Sequence, residues 1–361
     1  MRRLLCAALT LTSAAGYGLA GCGSESTPVP GGVVPDGSFI IPDASPGPDG
    51  GLLRPEAAVP PPPPPDGPGH ISFKHPDDTW RRVLATTGSP LENLTAEMNK
   101  VSPGKDDFLN LSRDGAWVVA TGARFGCGSG SCVELFAGNL SRGEGVKPNG
   151  HAIEAGEGRP VVAPGGNLIV YSKSGPHALD LYAVTRNGTL WDTPVLLTTL
   201  STFSHHHDAA ISSDGARVVF DCGRDAYGAP PTAICEVGTD GNGFHKIIDP
   251  ADGPDHAANH AAHHPDYAPD GSVVFEVDWG GEQIWKLPVT GGPAVNLSGG
   301  DYPDDNSPCV LPDGRIASLW LGRKGNTEGS HEIKIMNADG SSPFMLVTGI
   351  DVVDIGMGCG N

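Results

Sequence analysis

Histidine carries most of the chemistry available to this chain. Thirteen histidines occur in 361 residues, and two groups are dense. One is His205-His206-His207, followed by Asp208; the other is His256, His260, His263 and His264, followed by Asp266. Neutral imidazole binds divalent metals and moves protons near neutral pH. The two groups are in phase with each other: when Gly215 is set on Gly271, His207 falls on His263. The same column holds Asp107 before Gly115 and Asn306 before Gly314, with His206, His264 and Asp305 alongside. If one fold gathers that column, imidazoles and carboxylates converge on a site for a divalent metal ion or for an anionic or polar ligand. A polar, water-filled mouth is the plainer outcome for the same residues. No Gly-x-Ser-x-Gly elbow, His-Glu-x-x-His, phosphate-binding loop or dinucleotide fingerprint is present, so no catalytic residue and no cofactor beyond such a metal is expected.

The elements that would position these residues repeat. Five turns, Ser112-Arg113-Asp114-Gly115, Ala163-Pro164-Gly165-Gly166, Ser212-Ser213-Asp214-Gly215, Ala268-Pro269-Asp270-Gly271 and Leu311-Pro312-Asp313-Gly314, recur roughly 50 residues apart. Each precedes a β-rich run such as Val218-Val219-Phe220 or Val273-Val274-Phe275. Asp-Gly supplies the positive φ that a tight hairpin needs. A second hairpin follows in each unit, for example Ile284-Trp285-Lys286-Leu287 around Thr290-Gly291-Gly292. Four strands per repeat is the spacing of a β-propeller blade, so the fold class is all-β. The ends predict closure. Ile71 to Phe73, Arg82 to Ala85 and Leu91 to Leu94 read as the last three strands of a blade, and Val352 to Gly356 as its innermost strand. Five full units and this composite make six blades. The aligned column then lies where the innermost strands meet the mouth of the central channel.

The Ser/Ala-x-Asp-Gly turns before β-branched runs resemble the repeats of TolB-like propellers, over roughly residues 70–361. Ala268-Pro269-Asp270-Gly271 and Leu311-Pro312-Asp313-Gly314 are nearest that pattern, while Ala163-Pro164-Gly165-Gly166 lacks the aspartate. The resemblance implies a fold. It does not imply membership of the Tol envelope machine, because the periplasmic Tol component has an α/β domain where this chain has a proline-rich segment. Similar propellers precede a serine-hydrolase domain in prolyl-oligopeptidase-like enzymes, for which the sequence to Asn361 leaves no room. Oligogalacturonate lyases, also similar in repeat, hold a histidine-ligated metal; none of their ligand motifs matches residue by residue.

The amino terminus resembles that of bacterial lipoproteins. Arg2 and Arg3 precede an apolar run from Leu4 to Ala15, which is too short to span a bilayer, and Leu19-Ala20-Gly21-Cys22 is similar to a lipobox. The resemblance implies a signal peptide over 1–21 and acylation (palmitate included) of Cys22. It also implies a partner in the membrane itself, with more than one chain for lasting anchorage. Gly23 replaces the aspartate associated with inner-membrane retention, which favours the outer membrane. Residues 22–69 then read as a disordered tether with six consecutive prolines, Pro60 to Pro65, and 70–361 as the propeller domain.

Of eight cysteines, Cys6 leaves with the signal peptide and Cys22 is lipidated. The remaining six allow fifteen pairings, which the blade map narrows to Cys127–Cys132, Cys222–Cys235 and Cys309–Cys359. The net charge of −19 repels phosphate backbones and excludes nucleic acid as a partner. The reading is a monomeric, membrane-anchored scaffold that binds an envelope protein or small ligand without catalysis. The alternative is a metal-dependent polysaccharide lyase or hydrolase built on the histidine column.

Overall fold

The computed structural model describes residues 67–361 apart from 102, 123, 125–133, 140–141, 147–152, 154–157, 225–230, 254–255, 257–258, 280, 300–303, 322–329 and 361. The chain divides into units Met1–Glu56 and Ala57–Asn361, and every described residue belongs to the second. The predicted signal peptide, Cys22, nearly all of the tether and the Cys127–Cys132 pair lie outside the described residues. No described helix is long and apolar enough to cross a membrane.

Strands follow in chain order. First come β1 (His70–Lys74), β2 (Trp80–Leu84) and β3 (Leu91–Asn93), then helix α1 (Leu94–Val101). Next are β4 (Asp106–Leu111), β5 (Val118–Gly122), β6 (Glu134–Asn139) and β7 (Arg142–Gly145), which form one sheet. A five-stranded sheet contains β8 (Val161–Val162), β9 (Leu168–Lys173), β10 (Asp180–Asn187), β11 (Leu190–Trp191) and β12 (Val195–Leu196). The following sheet holds β13 (His205–Ile211), β14 (Arg217–Gly223), β15 (Thr232–Gly238) and β16 (His245–Ile248). Then come β17 (Ala262–Tyr267), β18 (Val273–Val277), β19 (Gln283–Leu287) and β20 (Val295–Asn296). The last consecutive sheet is β21 (Asp305–Val310), β22 (Ile316–Leu321), β23 (His331–Met336) and β24 (Phe344–Val347). Finally β25 (Val353–Gly360) pairs antiparallel with β1, giving the order β25-β1-β2-β3. Blades drawn from one consecutive stretch of chain therefore number five, and the remaining sheet is a composite of the two ends.

The turns explain why each hairpin forms where it does. In Ser212-Ser213-Asp214-Gly215, the Asp214 carboxylate accepts from the Ala216 amide at 3.0 Å and the Ser212 hydroxyl accepts from the Arg217 amide at 2.9 Å. Gly215 takes a φ of 72°, the left-handed region where a side chain is strained. Gly166 has a second reason to be glycine, since a Cβ there would stand 2.1 Å from the Trp117 ring.

Strand alternation divides each sheet between two neighbours. Along β14, Phe220 and Cys222 face Leu181 and Ala183 of the preceding sheet, while Val219 joins Tyr267 and Phe275 of the following one. Both faces are buried, so these strands read as continuous apolar runs. Every core cluster spans two adjacent sheets in this way, and one of them joins β21–β24 to β1, β2 and β25. The last interface returns to the composite sheet, and the ring closes. The disulfide Cys309–Cys359 sits in that closing core, with Cα atoms 5.6 Å apart. Cys222–Cys235 joins neighbouring strands β14 and β15 at 6.0 Å.

Two elements depart from the expectation. The chain from Leu94 turns into helix α1 rather than extending β3, because Leu94 and Met98, four residues apart, bury one helical face against Trp80 and Leu109. In the β8–β12 sheet the outer position is shared, with β11 and β12 each pairing two residues of β10.

Candidate functional site

The innermost strands are bulged where they begin. Register shifts fall between His207 and Ala210 in β13, His263 and Asp266 in β17, and Asn306 and Cys309 in β21. Inside each bulge one non-glycine residue is left-handed: Asp208 (φ 48°), His264 (φ 49°) and Ser307 (φ 47°). A bulge re-aims side chains and concentrates at functional sites. Here three consecutive sheets re-aim the same structural position, one residue beyond the aligned column.

The result is a cluster of imidazoles and carboxylates across β13, β14, β17 and β18. His207 Nδ1 lies 3.2 Å from Asp208 Oδ2 and 3.4 Å from Asp221 Oδ2. His263 Nδ1 is 3.0 Å from the same Asp221 oxygen. His264 Nε2 is 3.4 Å from Asp208 Oδ2, and its Nδ1 is 3.0 Å from Glu276 Oε2. Glu276 also accepts from the Ser307 amide at 2.8 Å. Arg159 brings Nε to 3.6 Å from Asp208 Oδ1 and donates through its guanidinium to the Met357 carbonyl. His207, Asp208 and Asp221 are buried; His263 and His264 keep partial access to solvent.

Burial and charge compete strongly here. Burial opposes ionisation of Asp208, but His207, His264 and Arg159 hold its carboxyl well below the usual range. For Asp221 burial wins over His263 and His207, and its carboxyl is raised. Burial would lower His264, yet Asp208 and Glu276 more than offset it and carry the imidazole up to about 9. His263 is likewise raised, by Asp221, against the effect of burial.

Of the predicted residues, His207, His263 and His264 converge in this cluster. Asn306 stands at its edge, donating to Asp354 at 3.2 Å. Asp107 does not join: β4 bulges between Asp106 and Phe108, so Asp106 turns inward and Asp107 stays exposed. His206 points the other way along the alternating strand, with Nδ1 donating to the Leu179 carbonyl at 2.8 Å and Nε2 2.7 Å from the Ser201 hydroxyl. Asp305 instead pairs with Lys334. Asp221 and Glu276 were missed, though a signal existed: an acidic residue follows Val-Val-Phe in both repeats, and the ladder sets Asp221 opposite His207 and Glu276 opposite His263.

No protein-family model and no curated protein matches the sequence. Solved structures do match in shape. A putative TolB from Agrobacterium tumefaciens aligns with a TM-score of 0.52 at 18% identity, over 77% of this chain and 87% of that one. TolB from Acinetobacter baumannii aligns at 0.56 with 14% identity, over 81% of this chain and 66% of that one. The fold is that of a TolB-type β-propeller.

In this TolB-type propeller the described innermost strands leave little open space between them. A cavity of about 50 Å³ remains, lined by Ala209, Ala210, Ile211, Cys309 and Met357 among others. Arg159 lines it on the side of the histidine cluster. Arg113 lines it too, bridging to Asp266 at 2.9 Å, and Asp266 accepts in turn from the Val310 amide at 2.7 Å. The Arg159 guanidinium occupies the space a side chain at position 356 would need: a Cβ on Gly356 (φ 88°) would meet its Cζ at 2.5 Å. Gly356→Ala is therefore expected to lower stability by about 2 kcal/mol, from left-handed strain and displacement of the guanidinium. Urea unfolding of the variant measures it; an unchanged midpoint would show that Arg159 does not need that space.

A second group, His177, Asp180 and His206, is internally satisfied. Asp180 accepts from Thr198 at 2.6 Å and from the His177 backbone amide at 2.9 Å, and burial lowers His206 to about 4. A neutral, doubly bonded imidazole of this kind tethers the Leu179 and Ser201 segments.

Proposed function

We propose that this chain is an exported lipoprotein, anchored through acyl chains on Cys22, whose TolB-type propeller counts the composite sheet as a sixth blade. It acts as a non-catalytic scaffold in the cell envelope, at the outer membrane, and binds a protein or small ligand on its loop surfaces. The observation that supports this most directly is the little open space left between the described innermost strands. About 50 Å³ is far below the roughly 300 Å³ or more that a small-molecule pocket needs, so a sugar residue cannot reach groups inside it. Both arginines that line it are held by partners, Arg159 by Asp208 and the Met357 carbonyl and Arg113 by Asp266, so among the described residues the lining offers no free cation to a polyanionic substrate. The envelope placement draws on the lipobox-like Leu19-Ala20-Gly21-Cys22 and on the TolB proteins of similar fold.

The anchor is tested by growing cells with labelled palmitate. Wild-type protein is expected to take up label and sediment with membranes, while Cys22→Ser takes up none and is released by lysis. Label retained in the variant, or an unlabelled soluble wild type, would overturn the anchor. The non-catalytic reading is tested by incubating the full chain with polygalacturonate and following unsaturated products by ultraviolet absorbance. Product above background that disappears in His263→Ala would replace the scaffold with a lyase.

A further inference from the structure

The cluster at the channel mouth has features that a self-contained ion-pair network does not need. Asp221 is wholly buried and its Oδ1 has no hydrogen-bond partner; Asp208 Oδ1 likewise has none, with only the Arg159 contact at 3.6 Å. A buried carboxylate oxygen left unpaired is costly unless something positive fills the gap. Meanwhile one nitrogen of His207 and one oxygen each from Asp208 and Asp221 lie within 4.8 Å of one another. The separations from His207 Nδ1 to Asp208 Oδ2 (3.2 Å) and Asp221 Oδ2 (3.4 Å), the second oxygens of the same two carboxylates, fit ligands at about 2.1 Å from a shared cation, which stand about 3.0–3.4 Å apart at octahedral to tetrahedral angles.

We propose that His207 Nδ1, Asp208 and Asp221 bind one divalent transition ion, Zn²⁺ or Mn²⁺, at the propeller mouth. This site is independent of the scaffold reading. One imidazole with two carboxylates suits Zn²⁺ or Mn²⁺ better than an all-oxygen cage suited to Ca²⁺. Around the site stands the outer shell that metal ligands use. His264 turns Nε2 toward Asp208 while Glu276 holds its Nδ1 at 3.0 Å, and the Ser307 amide holds Glu276. His263 stands 3.0 Å from Asp221 and, like His264, keeps partial access to solvent. Three protein ligands leave coordination positions for water or an external ligand. The left-handed φ of Asp208 brings its carboxylate beside the adjacent His207 ring.

The test uses untagged full-length protein from cells grown with added Zn²⁺ and Mn²⁺, since a polyhistidine tag would bind metal itself. Elemental mass spectrometry is expected to find stoichiometric metal in the wild type and in His256→Ala, which removes an exposed histidine outside the site. Asp221→Asn is expected to hold less than a tenth as much. Titrating metal into chelator-treated wild type is expected to raise its melting temperature, and the rise is expected to vanish in His207→Gln. If Asp221→Asn fails to fold, the His207→Gln titration decides. Absence of both bound metal and any melting shift would overturn the site. Full metal retention in the folded variants would also overturn it, by placing the ion on other histidines.

Discussion

Replacing both Cys309 and Cys359 by serine is expected to lower stability by about 4 kcal/mol, the chain-entropy value for a bridge closing a 50-residue loop. That is a large part of the roughly 5–15 kcal/mol by which folded domains are favoured. The effect belongs to the ring as much as to the loop. Cys309 lies on β21 and Cys359 on β25, and β25 joins the far end of the chain to β1. Without the bridge, the composite sheet is held at this seam by its ladder, by the core around Ile71, Leu311 and Met357, and by hydrogen bonds such as Arg315 to the Ala85 and Pro68 carbonyls and Ser307 to Asp354. Replacing Cys222 and Cys235, which close only 13 residues between neighbouring strands, is expected to cost about 3 kcal/mol. Urea unfolding of the two double variants, each against the oxidised wild type, checks the order. A smaller loss at Cys309/Cys359 than at Cys222/Cys235 would show that ring closure does not depend on the bridge.

Removing Arg124 alone is expected to cost about 3–5 kcal/mol, because it leaves a buried carboxylate without its partner. Arg124 forms a two-pronged pair with Asp106, both side chains almost fully enclosed. Burial pushes the Asp106 carboxyl up and Arg124 pulls against it. Arg124 also donates to Asn99 on α1 at 2.9 Å, so the helix is part of the same arrangement. Asp106→Leu with Arg124→Met is expected to fall within about 1 kcal/mol of the wild type, since exchanging a buried pair for apolar groups of similar volume is often neutral. Unfolding of the Arg124→Ala and double variants decides between the readings. Equal losses in the two would assign the effect to packing volume rather than to the stranded charge.

Much of the architecture was legible in the residues. Asp-Gly turns such as Asp214-Gly215 mark hairpins because an aspartate side chain caps the turn amides and glycine accepts a positive φ, both local effects. The pairs Cys222–Cys235 and Cys309–Cys359 follow once the strands are counted, as do the composite strands β25 and β1–β3. The histidine column was also legible, because a repeat puts equivalent residues at equivalent depth in the ring. Helix α1 was less so: Leu94 and Met98 form a single apolar step, too short a pattern to outweigh the strand before it.

What tertiary structure alone decided is which way the column faces. A strand alternates strictly, so sequence phase would send His207, His263, Asp107 and Asn306 to the same side. Bulges break that phase. They widen the convergence by one residue, adding Asp208 beside His207, and send Asp106 rather than Asp107 inward. Cross-strand pairing then supplies Asp221 and Glu276, and Arg159 arrives from the preceding sheet to line the cavity. None of these contacts is near in sequence except His207–Asp208. They exist because the ring sets β8, β13, β14, β17 and β25 around one axis, and closing it forces buried charges to find partners.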